Sequence, residues 1–299
     1  MGTVPRIIHI IILILSLCIP SPSFAQSRPQ KLLIGILPEM NVFKQKQRFQ
    51  LLGEHLSKKT GIRVEFTILS RYGNIIDSFT SEKMDGAFFG SFTGALAIRK
   101  LGVVPLARPV NPDGASTYHG YLFVRKDSGI TGVREMRGKT MVYVDKTTSA
   151  GYLFPLAYLK DNGIKDPEHF FSATFFSGSH DAAVSAVLNR KADVGAAKHS
   201  IYDQMKKSDP RLDRELMVLA ESARMPSNGL CVRKDLDEAL KSTLKTILLN
   251  LHQEADGKQV LKQFGALKFI ETTTADYQPV FDMAAKAGID VKSYNSRNR

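Results

Sequence analysis

The sequence predicts an α/β protein of two lobes with a ligand cleft between them. Three observations carry this expectation. Short apolar strands alternate with amphipathic helices from residue 32 onward, the alternation comes as two successive sets, and after residue 226 the pattern turns mainly helical. A chain that leaves the first set, builds a second and returns would cross between the lobes twice, and the cleft so formed is the usual place for a small ligand.

Each element follows from its local pattern. Residues 32–37 are a buried first strand ending at Pro38, and Phe49, Leu51, Leu52 and Leu56 mark a helix closed by Thr60-Gly61. Residues 63–69 read as the second strand; Ile75, Ile76 and Phe79 mark the second helix. Residues 84–89 give a third strand, Gly90-Ser91 opens a helix to about Leu101, and residues 103–110 and 118–125 follow as strands. The second set holds strands at 141–144, 173–176, 194–196 and 216–220. Between them lie helices after Ala150, from His180 to about Arg190, and up to Lys207. Beyond Pro226-Ser227-Asn228-Gly229 come a strand at 229–233 and a helix at 236–253. The expected division is 1–25 as a removable signal, 31–118 as the first part of lobe 1, 119–225 as lobe 2, and 226–299 as the return to lobe 1.

The N-terminus reads as an export signal. Arg6 supplies the positive start, residues 7–19 are an almost unbroken apolar run, and Ser23-Phe24-Ala25 offers small residues for cleavage after Ala25. The competing reading is an uncleaved anchor, but the run falls short of the ~18 apolar residues a membrane span needs. Leu17 is bulky where lipoprotein processing at Cys18 wants a small residue. With Cys18 removed, Cys231 stands alone in a strand-like run, so no disulfide framework and no cysteine metal site is expected.

A net charge of +12 raises nucleic acid or a membrane surface as partners. The basic residues are dispersed, however, and no basic stripe interleaved with aromatics appears. Clusters such as Lys44-Gln45-Lys46-Gln47-Arg48 read as solvated helix faces that draw anions toward the protein.

The stretch Asp145-Lys146-Thr147-Thr148-Ser149-Ala150-Gly151-Tyr152-Leu153-Phe154-Pro155 is the densest candidate for chemistry. A strand feeds hydroxyl residues and a glycine into a helix start, where unpaired N–H groups suit a small anion. The same composition also suits an ordinary helix cap. Three other strand ends deliver comparable loops: Ser70-Arg71-Tyr72-Gly73, Gly90-Ser91 and Ser177-Gly178-Ser179-His180. His180 opens a helix beside Asp181, either to donate to an anion or to cap its own helix. Ser179-His180-Asp181 is no catalytic triad by adjacency, and neither a Gly-x-Ser-x-Gly elbow nor a metal-ligand spacing occurs. Nucleotide loops are missing too, so no cofactor and no metal is expected.

Over residues 31–290 the chain resembles the periplasmic phosphonate/phosphite/phosphate-binding proteins of ABC transporters, within the type II periplasmic-binding-protein superfamily. Four runs carry the resemblance: Thr148-Ser149-Ala150-Gly151-Tyr152-Leu153-Phe154-Pro155, Phe176-Ser177-Gly178-Ser179-His180-Asp181, residues 189–196, and residues 120–128. It implies the two-lobed fold of that superfamily with a two-segment hinge. It also implies oxyanion contacts from Thr148, Ser149, their neighbouring N–H groups and His180, with Tyr72 and Tyr118 facing them. Ala150 stands where the family has a second serine. Either that hydroxyl is missing, or a one-residue insertion brings in Thr147.

The resemblance implies that an aminoalkylphosphonate would need acids at the positions of Ser200 and Asn228, which are not acidic, and Lys198 is positively charged nearby, facing either an anion or solvent. With Ser91 at its helix start, the candidate ligand residues are Tyr72, Ser91, Tyr118, Thr147, Thr148, Ser149, His180 and Lys198. The resemblance implies a monomer that captures phosphate, phosphite or a small alkylphosphonate and hands it to an ABC permease in the membrane. A membrane sensor kinase or receptor is the alternative partner. An exported hydrolase would need a nucleophile with a base, or a metal, and no such constellation is recognisable.

Overall fold

The computed structural model describes residues 1–2, 31–167 and 169–295; the expected signal and its cleavage after Ala25 lie outside the described residues. The chain runs β1 (Lys31–Ile36), α1 (Val42–Thr60), β2 (Arg63–Ile68), α2 (Ile75–Ser81), β3 (Gly86–Phe89), α3 (Ser91–Leu101) and β4 (Val104–Val110). Two residues of β5 (Thr117–Tyr118) precede β6 (Gly120–Arg125) and β7 (Thr140–Tyr143). A π-helical turn at Ser149–Leu153 then leads into α4 (Phe154–Asp161). Next come β8 (Ala173–Phe176), α5 (His180–Leu188), β9 (Val194–Lys198), α6 (His199–Ser208), α7 (Arg211–Glu215) and β10 (Leu216–Glu221). The return comprises β11 (Met225–Pro226), β12 (Gly229–Val232), α8 (Glu238–Asn250), α9 (Gly257–Phe264), β13 (Lys268–Glu271) and α10 (Gln278–Lys286).

Two main sheets form. The first has the order β13-β4-β12-β3-β1-β2 and the second β10-β6-β9-β7-β8. In the first, β1 pairs parallel with β2 and β3, while β12 inserts antiparallel between β3 and β4. In the second, β7 runs parallel to β8 and β9, and β6 runs antiparallel to β9. The chain passes between the sheets beside a third, two-stranded pairing in which Tyr118 faces Met225 and Thr117 faces Pro226.

Burial explains the strand composition. Helices α1, α8 and α9 pack with Leu32, Ile34, Phe88 and Leu230 on one face of the first sheet. A larger apolar cluster joins its other face to the second sheet, from Leu37 and Phe89 through Phe123 and Val142 to Val187. A sheet covered on both faces needs continuous apolar strands, as β1 and β3 have.

The structure departs from the expected elements in several places, among them the strand expected at 118–125, which splits into β5 and β6 in different sheets. Helix α1 begins at Val42 and takes in the basic cluster, where Gln45 is buried, so that cluster is not simply a solvated face. The C-terminal region is not helical throughout, because β13 adds an antiparallel edge to β4. The short α7 was not read from the sequence at all. Cys231 is buried, and burial pushes its thiol up to about 12 against a hydrogen bond from the Tyr277 side that lowers it.

The C-terminal segment touches both sheets' helices. The α10 lysine Lys286 lies 3.5 Å from Asp161 of α4, and Tyr294 packs on Phe92 while its hydroxyl donates to Lys146 O at 2.8 Å. Tyr277 wedges beneath α3, where a Cβ on Gly94 would lie 2.5 Å from its ring. Gly94→Ala should therefore cost about 1–3 kcal/mol, the usual range for overpacking a tight core site. Urea denaturation checks this, and an unchanged midpoint would mean that Tyr277 yields freely.

Candidate functional site

The carboxyl ends of β1, β3, β7, β8 and β9 converge between the sheets on a small cavity of about 250 Å³, its mouth included. All eight residues singled out from the sequence line it, and so do Glu39, Thr93 and Asn228, which were not among them. Lining the cavity is not the same as offering it a donor, and the hydrogen bonds separate the two.

Asp145 decides what the loop after β7 can offer. Its carboxylate Oδ1 accepts from Thr147 N at 2.9 Å and from Thr147 Oγ1 at 2.7 Å. Its carbonyl accepts from Thr148 N at 3.0 Å and from Thr148 Oγ1 at 2.7 Å. Both threonines thus line the cavity with their hydroxyl protons committed to Asp145. Ser149 is the first free residue of the loop, and its Oγ is buried without a hydrogen-bond partner among the described residues. The first N–H paired inside the π turn is that of Leu153, bonded to Thr148 O. The N–H groups of Ser149, Ala150 and Gly151 precede it and have no partner among the described residues. Ala150 is buried against Gly120, and a Cβ on Gly151 would collide with Val144, so close backbone packing replaces side chains at both positions.

On the facing side, Tyr72 is buried in the turn before α2, and its hydroxyl is also unpartnered among the described residues. Burial raises its phenol well above the ordinary value, and the Glu39 carboxylate adds to this, so it is a neutral donor. Helix α3 starts at the cavity, and the first N–H bonded within it is that of Gly94, to Gly90 O. Ser91 is engaged differently from the expectation. Its single hydroxyl proton goes to Pro226 O at 2.7 Å, so across 2.8 Å the Tyr118 phenol donates to Ser91 Oγ. This chain of bonds ties α3 to β5 and β11. Burial raises the Tyr118 phenol, opposed by the nearby Ser149 and Ser91 hydroxyls; Ser149 approaches without reaching an aligned hydrogen bond.

His180 opens α5 but does not cap it, since Ser179 Oγ accepts from Ala182 N. Its Nδ1 accepts from Lys198 N at 3.1 Å, so the neutral ring carries its hydrogen on Nε2 and is a donor there. Burial lowers His180 to about 4; Glu39 opposes this, and Lys198 reinforces it. With Nδ1 on a backbone N–H and Ser179 Oγ bonded to Asp181, no serine–histidine–carboxylate relay forms.

Lys198 does not face solvent. Its Nζ lies 2.9 Å from Glu39 Oε1, 3.5 Å from Asn228 Oδ1 and 4.6 Å from the centre of the Tyr118 ring. Its charge is therefore largely compensated by Glu39. Glu39 Oε2 is also 3.6 Å from the Arg48 guanidinium. Burial alone would raise the Glu39 carboxyl, yet Lys198 and Arg48 outweigh it and bring the group down to about 2. A signal for Glu39 was present, because it follows the end of β1 as the other loops follow their strands. Arg48 was hidden in the basic cluster of α1.

Away from the cavity, the fold brings together His55, Glu254 and Asp256, a grouping that no sequence spacing announced. Lys59 Nζ sits 2.8 Å from Glu254 and Lys58 Nζ 3.5 Å from Asp256, so lysines already supply positive charge there.

Comparison with known proteins identifies the family. The family described as "ABC transporter, phosphonate, periplasmic substrate-binding protein" matches residues 34–277. The chain is 24% identical over 275 residues to a probable ABC transporter phosphite binding protein of Prochlorococcus marinus, covering 89% of this chain and 92% of that one. It is 26% identical over 269 residues to the phosphonates-binding periplasmic protein of Escherichia coli, covering 88% and 79%. The crystal structure of the Prochlorococcus marinus protein PhnD1 with methylphosphonate superposes with a TM-score of 0.76, at 22% identity, over 87% of this chain and 99% of that one. Helices and two sheets arranged as in these two-lobed proteins, and a family match over most of its length, place the chain among the periplasmic substrate-binding proteins of ABC phosphonate transporters.

Proposed function

We propose that this protein captures phosphate, phosphite or a small alkylphosphonate between its lobes and delivers it, as a monomer, to an ABC permease in the membrane. The observation that carries this reading is the pair of buried, unpartnered hydroxyls of Tyr72 and Ser149, both lining one cavity beside open helix N-termini. Leaving such groups unpaired costs about 1–3 kcal/mol each, a cost that an oxyanion accepting from both removes. His180 Nε2–H, the N–H groups of Ser149, Ala150 and Gly151, and the start of α3 complete the donor set. Thr147, Thr148, Ser91 and Tyr118 hold these donors in place, and the Glu39–Lys198–Arg48 group supplies net positive charge.

The names of the relatives, for phosphite and for phosphonates, support an oxyanion of phosphorus as ligand. Ser200 and Asn228 are not acidic, which disfavours an aminoalkyl tail. In this reading the protein acts in the periplasm after loss of residues 1–25 and turns nothing over. Lobe 1 is 31–118 with 226–299, lobe 2 is 119–225, and hinge closure occurs at β5 and β11.

Ser149→Ala and Tyr72→Phe should each weaken binding of methylphosphonate or phosphate about tenfold or more, since a hydrogen bond to a charged group is worth about 1.5–3 kcal/mol. Neither should destabilise the ligand-free protein, because each removes an unsatisfied buried hydroxyl. Titration calorimetry and thermal melting read the two effects separately. Unchanged affinity in both variants, for the tightest ligand, would remove these hydroxyls from the site.

Histidine 180 gives a pH signature. An unfolded histidine takes up its proton near 6.5, and His180 in the folded protein only near about 4. Between those values the unfolded state binds more protons, so its contribution is full above about pH 6.5 and is lost as pH falls toward 4. The loss amounts to about 3 kcal/mol and levels off below that. His199 titrates in the same window, so the check is a comparison. Ligand-free His180→Gln should lose distinctly less stability than the wild type between pH 7 and 4.

A further inference from the structure

The Glu39–Lys198 pair stands where two spaces meet. The small cavity lies on one side. On the other is an open groove between the lobes, about 1590 Å³, running past Lys44, Asn111, Asp113, Ser200 and Gln263. Glu39 and Lys198 are the two residues that line both.

Each member is held from behind. Arg48, which touches Glu39, donates through Nε to Phe264 O at 2.7 Å and lies over the Phe264 ring at 4.6 Å. Lys198 rests on the Tyr118 ring and reaches Asn228. Glu39 follows the last strand residue of β1 in the first sheet, and Lys198 ends β9 in the second, so the bond spans the two lobes. Both residues are buried, at 5% and 9% exposure. Separating such a pair leaves two charges in a poorly solvated place, which is far costlier than breaking a surface pair.

We infer that the Glu39–Lys198 ion pair is the specificity wall of the oxyanion site, excluding ligands whose substituent on phosphorus must extend into the groove. This rests on the oxyanion reading above. In this reading a phosphate, a phosphite or a methylphosphonate is held on the cavity side with the pair intact. A propyl or aminoethyl chain has to leave between Glu39 and Lys198 and break their bond. An ammonium group does not escape the penalty, because it takes Glu39 only by stranding Lys198 beside Arg48.

Titration calorimetry with phosphate, methylphosphonate, n-propylphosphonate and 2-aminoethylphosphonate tests this. Wild type should prefer methylphosphonate to both longer compounds by about hundredfold or more, the factor expected from breaking a buried pair. The double variant Glu39→Ala/Lys198→Ala removes the wall and both of its charges, leaving Arg48 held by Phe264 O and the Phe264 ring, and the preference should fall to about tenfold or less. If thermal melting shows that this variant does not fold, the isosteric Glu39→Gln decides, with an expected drop in preference of about tenfold.

Equal wild-type affinity for methyl and propyl compounds, or an unaltered preference in the folded variants, overturns the wall while leaving the oxyanion site standing. Failure of the wild type to bind any of the four compounds overturns the oxyanion reading, and the wall with it.

Discussion

Asp145 fixes the site. Four hydrogen bonds from two successive threonines end on this one residue, two on its carboxylate and two on its carbonyl. They turn the chain sharply out of β7, so that the next hydroxyl and the next three N–H groups emerge unpaired at a helix start. The wide π turn that follows places the first internal bond at Leu153, one residue later than an α-helix would. Everything opposite, from Tyr72 to the start of α3, is arranged around the place that this turn defines.

The site holds its balance of charge inside a strongly basic protein. The surface carries most of the +12, and long-range attraction of anions can come from there. Within the cavity the donors are neutral: two hydroxyls, an imidazole kept uncharged by burial, and backbone dipoles. Glu39 offsets one of the two positive charges of Lys198 and Arg48, so a net positive charge stands behind these donors. Neutral donors of fixed direction recognise shape and oxygen count more sharply than a free lysine would, because a mobile ammonium accepts any anion.

Much of this was legible in the sequence. Strand alternation and the hydroxyl-rich strand ends led to the two lobes and to residues that the fold does gather at one cavity. What stayed hidden has physical reasons. Strand β13 offers only Phe269 and Ile270 as apolar residues and lies at a sheet edge, so its pattern is too weak to read. The destination of the Thr147 and Thr148 protons depends on the turn's geometry, which composition does not encode. The Glu39–Lys198 bond joins residues 159 positions apart on different sheets, and no local periodicity announces it.

The C-terminal tail alters how the lobes can move. Two bodies joined by a pair of neighbouring strands turn freely about the line through those strands, like a door on two pins. Tyr294 adds an attachment away from that line, besides the Glu39–Lys198 and Lys286–Asp161 pairs, with its ring on Phe92 of α3 and its hydroxyl on Lys146, after β7. On the hinge proposed at β5 and β11, opening would therefore mean lifting a bolt as well as turning a hinge, and the bolt lies one residue from Thr147.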